Sequence, residues 1–157
     1  MFLCVNLKDF EKQKLLINNK IRNNIINNSY FYRLYYSDEE FISNGVVIVF
    51  NLQDIKFEKY FNKNKINFNE KKNSFIVKKL NELENHILSS LVDVEKKEKK
   101  FLLKEQLDNN YIKIIDENNI QKKQNVCNII IKISGIWESK SEYGLTFRCI
   151  KAEKKMN

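Results

Sequence analysis

The chain has no proline at all. Its 157 residues include only three glycines, three cysteines, three arginines, one histidine and one tryptophan. Each shortage excludes something. Three isolated glycines cannot form a glycine-rich phosphate loop. The lone histidine, His86, has no visible nucleophile partner, so a Ser–His or Cys–His triad has no basis, and its sequence reading is a solvated helix position. Cys4, Cys127 and Cys149 are odd in number and lack C-x-x-C spacing. That argues against a disulfide scaffold and a zinc site, and for a reducing, intracellular compartment. No apolar run reaches the length of a membrane span. Residues 1–16 carry charge from Lys8 onward, unlike a signal peptide. The expectation is a non-enzymatic chain without cofactor, metal or membrane partner.

What remains is ample for a fold. Hydrophobic residues make up 43% and aromatics 12%, enough for one domain with a real core. Asn, Lys and Ile supply 23, 25 and 20 residues. All three can be encoded by A and T alone, and proline cannot. An AT-rich coding sequence therefore accounts for part of the net charge of +8, which weighs only modestly towards a polyanionic partner.

Along the chain, residues 1–29 read as an N-terminal arm or marginal helix, weakened by paired asparagines. Aromatic-rich Tyr30–Tyr36 and apolar Gly45–Leu52 read as strands, as do alternating Asp54–Phe61 and short Ile66–Phe68. Ile76, Leu80, Leu83, Ile87 and Leu91 recur at intervals of three and four, giving an amphipathic helix near 74–91 capped by Asn73 or Ser74. The charge run 92–100 reads as a solvated loop, Phe101–Leu103 as a strand or helix start, and Tyr111–Ile115 as a strand. Glu117–Asn125 reads as a polar loop. Val126–Glu138 and Glu142–Ile150 close the chain as a hairpin, with a bulge or bend at Gly135. The fold class is mainly β: six to eight short strands with one helix, arranged as a small antiparallel barrel or curled sheet.

Strand parity carries the functional reading. Ile129, Ile131 and Ile133 face one way and Lys132 and Ser134 the other; Tyr143, Leu145, Phe147 and Cys149 oppose Thr146 and Arg148; Arg33 and Tyr35 share a side against Tyr32 and Leu34. The outward set is then Arg33, Tyr35, Lys132, Ser134, Thr146 and Arg148. Lys56 and Tyr60 extend it if the third strand is in register. Trp137 and Tyr143 stand at the hairpin mouth, where they either rim the core or stack on a base. Cations for phosphates with rings for bases suit a single-stranded nucleic acid. The alternative for each residue is an ordinary polar sheet face in water. Asp38-Glu39-Glu40 and Asp116-Glu117 could hold Mg²⁺ for a nuclease, but read more simply as an acidic turn and loop mouth.

Ile131-Lys-Ile-Ser-Gly135-Ile-Trp137-Glu followed by Tyr143-Gly-Leu-Thr-Phe147 resembles the C-terminal hairpin of small DNA-binding proteins of large double-stranded-DNA viruses. Tyr32-Arg33-Leu34-Tyr35-Tyr36, with Asn44-Gly45-Val46, is similar to their first hairpin. The resemblance implies an oligonucleotide-binding (OB) fold over residues 30–151, with 1–29 as arm and 152–157 as basic tail. It implies a non-catalytic role in viral replication, recombination or transcription, in the host cytoplasm or nucleus. It is the resemblance, rather than the residues, that points to DNA over RNA. The expected site is Arg33, Tyr35, Lys56, Lys132, Trp137, Tyr143, Thr146 and Arg148. A competing expectation is a protein–protein or virion structural subunit whose apolar strands pair with another chain, and self-association is left open.

Overall fold

The computed structural model describes residues 4–115 and 125–151. The expected hairpin is its longest feature: β11 (Val126–Glu138) and β12 (Glu142–Lys151) pair antiparallel. Period-two alternation buries Cys127, Ile129, Ile131 and Ile133 on one side. The hairpin turn is closed by Ser139, whose N–H donates to the Glu142 carbonyl (2.8 Å) and whose Oγ accepts from the Glu142 N–H (3.0 Å).

The other edge of β11 serves two strands in succession. Its first half pairs with β6 (Val46–Gln53), from Val126↔Gln53 to Ile133↔Val46. The β11–β12 register then shifts between Ile133 and Gly135, and β4 (Tyr30–Ser37) takes over that edge, from Gly135↔Arg33 to Glu138↔Tyr30. Gly135 makes the exchange feasible, since a Cβ there would lie 2.1 Å from the Tyr32 carbonyl oxygen. Short strands complete a nine-stranded mixed sheet. β1 (Cys4–Asn6) runs parallel to β6, while β2 (Leu15–Ile17), β3 (Ile21–Arg22) and β5 (Ile42–Asn44) pair with β4. β9 (Glu98–Lys100) runs parallel to the start of β12. A second, antiparallel sheet has the order β10 (Tyr111–Ile114), β8 (Lys63–Phe68), β7 (Ile55–Tyr60).

Two helices lie on the inner side. α1 (Ser74–Ser89) buries Leu80, Leu83, Ile87 and Leu88, the stripe the spacing predicts. α2 (Leu102–Asp108) buries Leu103 and Leu107 against β10 and β12. The helices, the second sheet and the inner row of the large sheet share one continuous core. Glu84 of α1 is fully buried; its carboxylate accepts from the N–H groups of Leu103 (3.0 Å) and Lys104 (2.7 Å), satisfying the start of α2.

Several expectations need correcting. The described residues form twelve strands, not six to eight, in mixed sheets that do not close into a barrel. Residues 4–29 are not a helix. They lie down as β1–β3 and two 3₁₀ turns, because neighbouring strand edges supply partners that the Asn-rich sequence cannot supply to itself. Residues 102–108 resolve as a second helix. The charge run is not merely solvated, since it contains β9 and the buried Val94. Asn73 stands at the start of α1, but its side chain does not cap it. It bonds instead to the N–H and C=O of Gln53 (both 2.8 Å) and to the Asn69 carbonyl (2.7 Å), tying α1 to the end of β6. The expected polar loop falls mostly on 116–124, and the basic tail on 152–157; both lie outside the described residues.

Candidate functional site

The helices cover one side of the large sheet, and the register of the strands orders what stands on the other. Three rows cross it. Lys132 lies between Val47 and Arg148; Gly135 lies between Arg33 and Thr146; Trp137 lies between Phe31 and Gly144, with Lys100 beyond. The two glycines leave shallow seats that rings fill. An added Cβ would meet the Phe31 ring 2.6 Å away at Gly135, and the Trp137 indole 2.8 Å away at Gly144. Phe31 and Trp137 thus lie along the sheet surface, half-buried from below. Glu98 and Glu142 at this end are both bound by Lys100 (2.9 and 3.3 Å).

The residue after Trp137 faces the core. Glu138 points inward and is 1% exposed. Its carboxylate accepts from Tyr32 Oη (2.8 Å) and from Lys97 Nζ, and Lys20 Nζ stands 3.9 Å away. Burial pushes the Glu138 carboxyl up, but the Lys97 and Tyr32 hydrogen bonds and the nearby positive charges outweigh it and hold the group below its ordinary value. The same burial and the bond to Glu138 push the Tyr32 phenol up.

At the free edge of β12 the outer face turns into a groove of about 780 Å³. Trp137, Thr146 and Arg148 form one wall. Tyr111 and Lys113 of β10, Lys63 at the start of β8, and Leu102, Glu105 and Gln106 of α2 form the other. Lys65 Nζ lies 5.2 Å from the centre of the Tyr111 ring, bringing further positive charge alongside. Among the described residues, no carboxylate lies within ion-pair distance of Arg33, Lys63, Lys113 or Arg148. Glu105 is, among the described residues, the single acid lining the groove.

The structure therefore brings together most of the expected residues. Arg33, Lys132, Trp137, Thr146 and Arg148 share the outer face, and the last three also line the groove. Tyr35 shares that face further along β4, half-buried opposite Leu16. Lys56 is exposed but belongs to β7, in the second sheet and on the strand farthest from β10. Tyr143 is a correction. It is 3% exposed and faces inward opposite Glu138, so it cannot stack on a base. Its own parity, shared with Leu145 and Cys149, already pointed inward. Phe31, Lys63, Tyr111 and Lys113 escaped the sequence reading. Phe31 was findable, two residues before Arg33 and on the same side; the other three depend on how two sheets approach each other.

The remaining chemical candidates lie elsewhere. His86 is half-buried against Leu15–Ile17; among the described residues Ser90 is the one nucleophile lining that hollow, and its hydroxyl donates to the His86 carbonyl (2.7 Å). Asp38 accepts from the Glu39 N–H (2.7 Å) and pairs with Lys14 (3.5 Å); that backbone bond, then Lys14, hold its carboxyl below the ordinary value. Asp116 and Glu117 lie outside the described residues. Burial pushes the Cys149 thiol up to about 12, which leaves it inert as a nucleophile. Among the described residues, no helix is long and apolar enough to cross a membrane. No family model, curated protein or solved structure matches the chain.

Proposed function

We propose that this chain is a non-catalytic, single-stranded nucleic-acid-binding protein, with DNA as its ligand. One observation carries the reading: Trp137, Thr146 and Arg148 share a groove with Tyr111, Lys63 and Lys113, and among the described residues only one acid lines it. Unpaired bases offer π faces to the rings, and each stacked base is worth about 1–3 kcal/mol. Phosphates answer Arg33, Arg148, Lys63 and Lys113. The curved sheet with a ring-bearing outer face suits an OB-like mode of binding, in which a strand lies across β11 and β12. A role in replication, recombination or transcription of a viral genome inside the host cell follows from the resemblance noted above.

Fluorescence anisotropy of a labelled oligo-dT tests the reading at two salt concentrations. Three or four phosphate contacts give a slope of about −2 to −3 in log affinity against log salt. Absence of binding at tens of micromolar protein in low salt contradicts it.

One observation favours a second reading, self-association. Leu16, Ile21 and Ile42 are 50%, 49% and 70% exposed at the β4 end of the large sheet. Light scattering separates the two: an oligomer indifferent to nucleic acid favours the second.

A further inference from the structure

The groove has a feature that phosphate binding and stacking do not use. The carbonyl of Ser141 accepts from the Glu98 N–H (2.9 Å), and that of Cys149 accepts from the Ile115 N–H (2.8 Å). The odd-numbered residues of β12 therefore turn their main-chain groups away from β11. β9 stops opposite Gly144, and at the other end Ile115, one residue past β10, hydrogen-bonds to Cys149. Between these points no described strand pairs with the edge, which leaves the N–H and C=O of Phe147 directed towards the groove side by side. This is the donor–acceptor pair with which an antiparallel strand exchanges two hydrogen bonds. The opening covers four residues, 145–148. That is short for an added strand of about five or six residues, and α2 walls it on the far side.

A nucleobase fits where a strand does not. Its pairing edge carries an adjacent donor and acceptor, and its ring needs a flat apolar neighbour. Tyr111 stands on the opposite wall, and Gln106, whose Oε1 already accepts the Lys113 N–H (2.8 Å), keeps its amide donors. The groove volume falls within the range of about 300–1,000 Å³ typical of sites that enclose small ligands. Among the described residues, Lys63, Lys113 and Arg148 against Glu105 alone give the charge that a phosphate needs.

We propose that this groove is a base-reading subsite, which takes one nucleotide of the bound strand and reads its pairing edge with the main chain of Phe147. The proposal rests on the nucleic-acid reading above and adds selectivity to it. The outer face holds any base; the groove prefers one.

The test measures affinities of the whole chain for short homo-oligomers of dT, dC and dA at one low salt concentration. It then repeats the tightest binder with its bases methylated on the pairing edge, which preserves stacking and phosphates. The expected spread is about tenfold, in line with a two-bond contact to a base edge, and methylation removes it. Tyr111→Ala is expected to reduce the spread to within about twofold, whereas Arg33→Glu weakens all oligomers by one factor. Circular dichroism verifies that both variants fold. Equal affinities for all oligomers, or a spread that methylation or Tyr111→Ala leaves intact, overturn the base-reading subsite while the proposed function stands. No binding by any oligomer overturns both.

Discussion

Trp137 and the glycine beneath it set the chemistry at the scale of single residues. The indole lies along Gly144 with one face against the sheet, and the proposed function assigns its other face to a base. Trp137→Ala should keep the fold and weaken oligo-dT binding by about 1–3 kcal/mol, the worth of one stacked base, as measured by anisotropy. Tyr143→Phe is the matching control. Tyr143 is buried behind the same hairpin, so affinity should stay unchanged although the substitution is only six residues from Trp137 in sequence. Gly135→Ala should act on stability instead. The added methyl would collide with the main chain at Tyr32, which cannot swing aside as a side chain could. The expected cost is about 1–3 kcal/mol, read as a lower melting temperature.

At the scale of elements, buried carboxylates hold the pieces together. Glu138 joins β11 to β4 through Tyr32 and to the segment before β9 through Lys97. Its folded-state pKa lies below the ordinary value. The stability it contributes is therefore present above the unfolded-state pKa and is lost as pH falls through the folded one. Tyr32 runs the other way. Its raised pKa favours the protonated phenol in the fold, so stability falls as pH rises above the ordinary tyrosine value, about 10. Denaturant midpoints against pH should show both limbs. Glu138→Gln should flatten the acid limb, and Tyr32→Phe the alkaline one. Glu84 provides a third check, because its carboxylate alone satisfies two N–H groups at the start of α2. Glu84→Ala should cost about 2 kcal/mol, from two buried donors left without partners.

The hairpin was legible in the sequence because period-two alternation in β11 and β12 is a local property. Gly135 marked the bend because a strand glycine signals a bulge or close approach. The arm was illegible for a matching reason. Its strands exist only through edges contributed by β6 and β4, far along the chain. β9 hid inside a charge run, where Lys100 serves the pairing with β12 while its ammonium meets two acids.

Across the whole molecule, the site lies where the large sheet meets the smaller one. Parity could place Arg33, Lys132, Thr146 and Arg148 on one side. It could not supply Lys63, Tyr111 and Lys113, which reach the groove only through the packing of β8 and β10 near the edge of β12. It also could not foresee that Lys56, though outward-facing, would belong to the second sheet. The net charge of +8 acts at this scale too, drawing a polyanion towards the surface at low salt and less so as salt screens it.

Trp137 is the chain's sole tryptophan, so its emission reports from the centre of the proposed site. Titration with single-stranded oligo-dT, monitored through intrinsic tryptophan fluorescence, tests the central claim most directly. The account predicts saturable quenching that added salt reverses. Tryptophan emission that stays unchanged through a full titration with the oligonucleotide would contradict it.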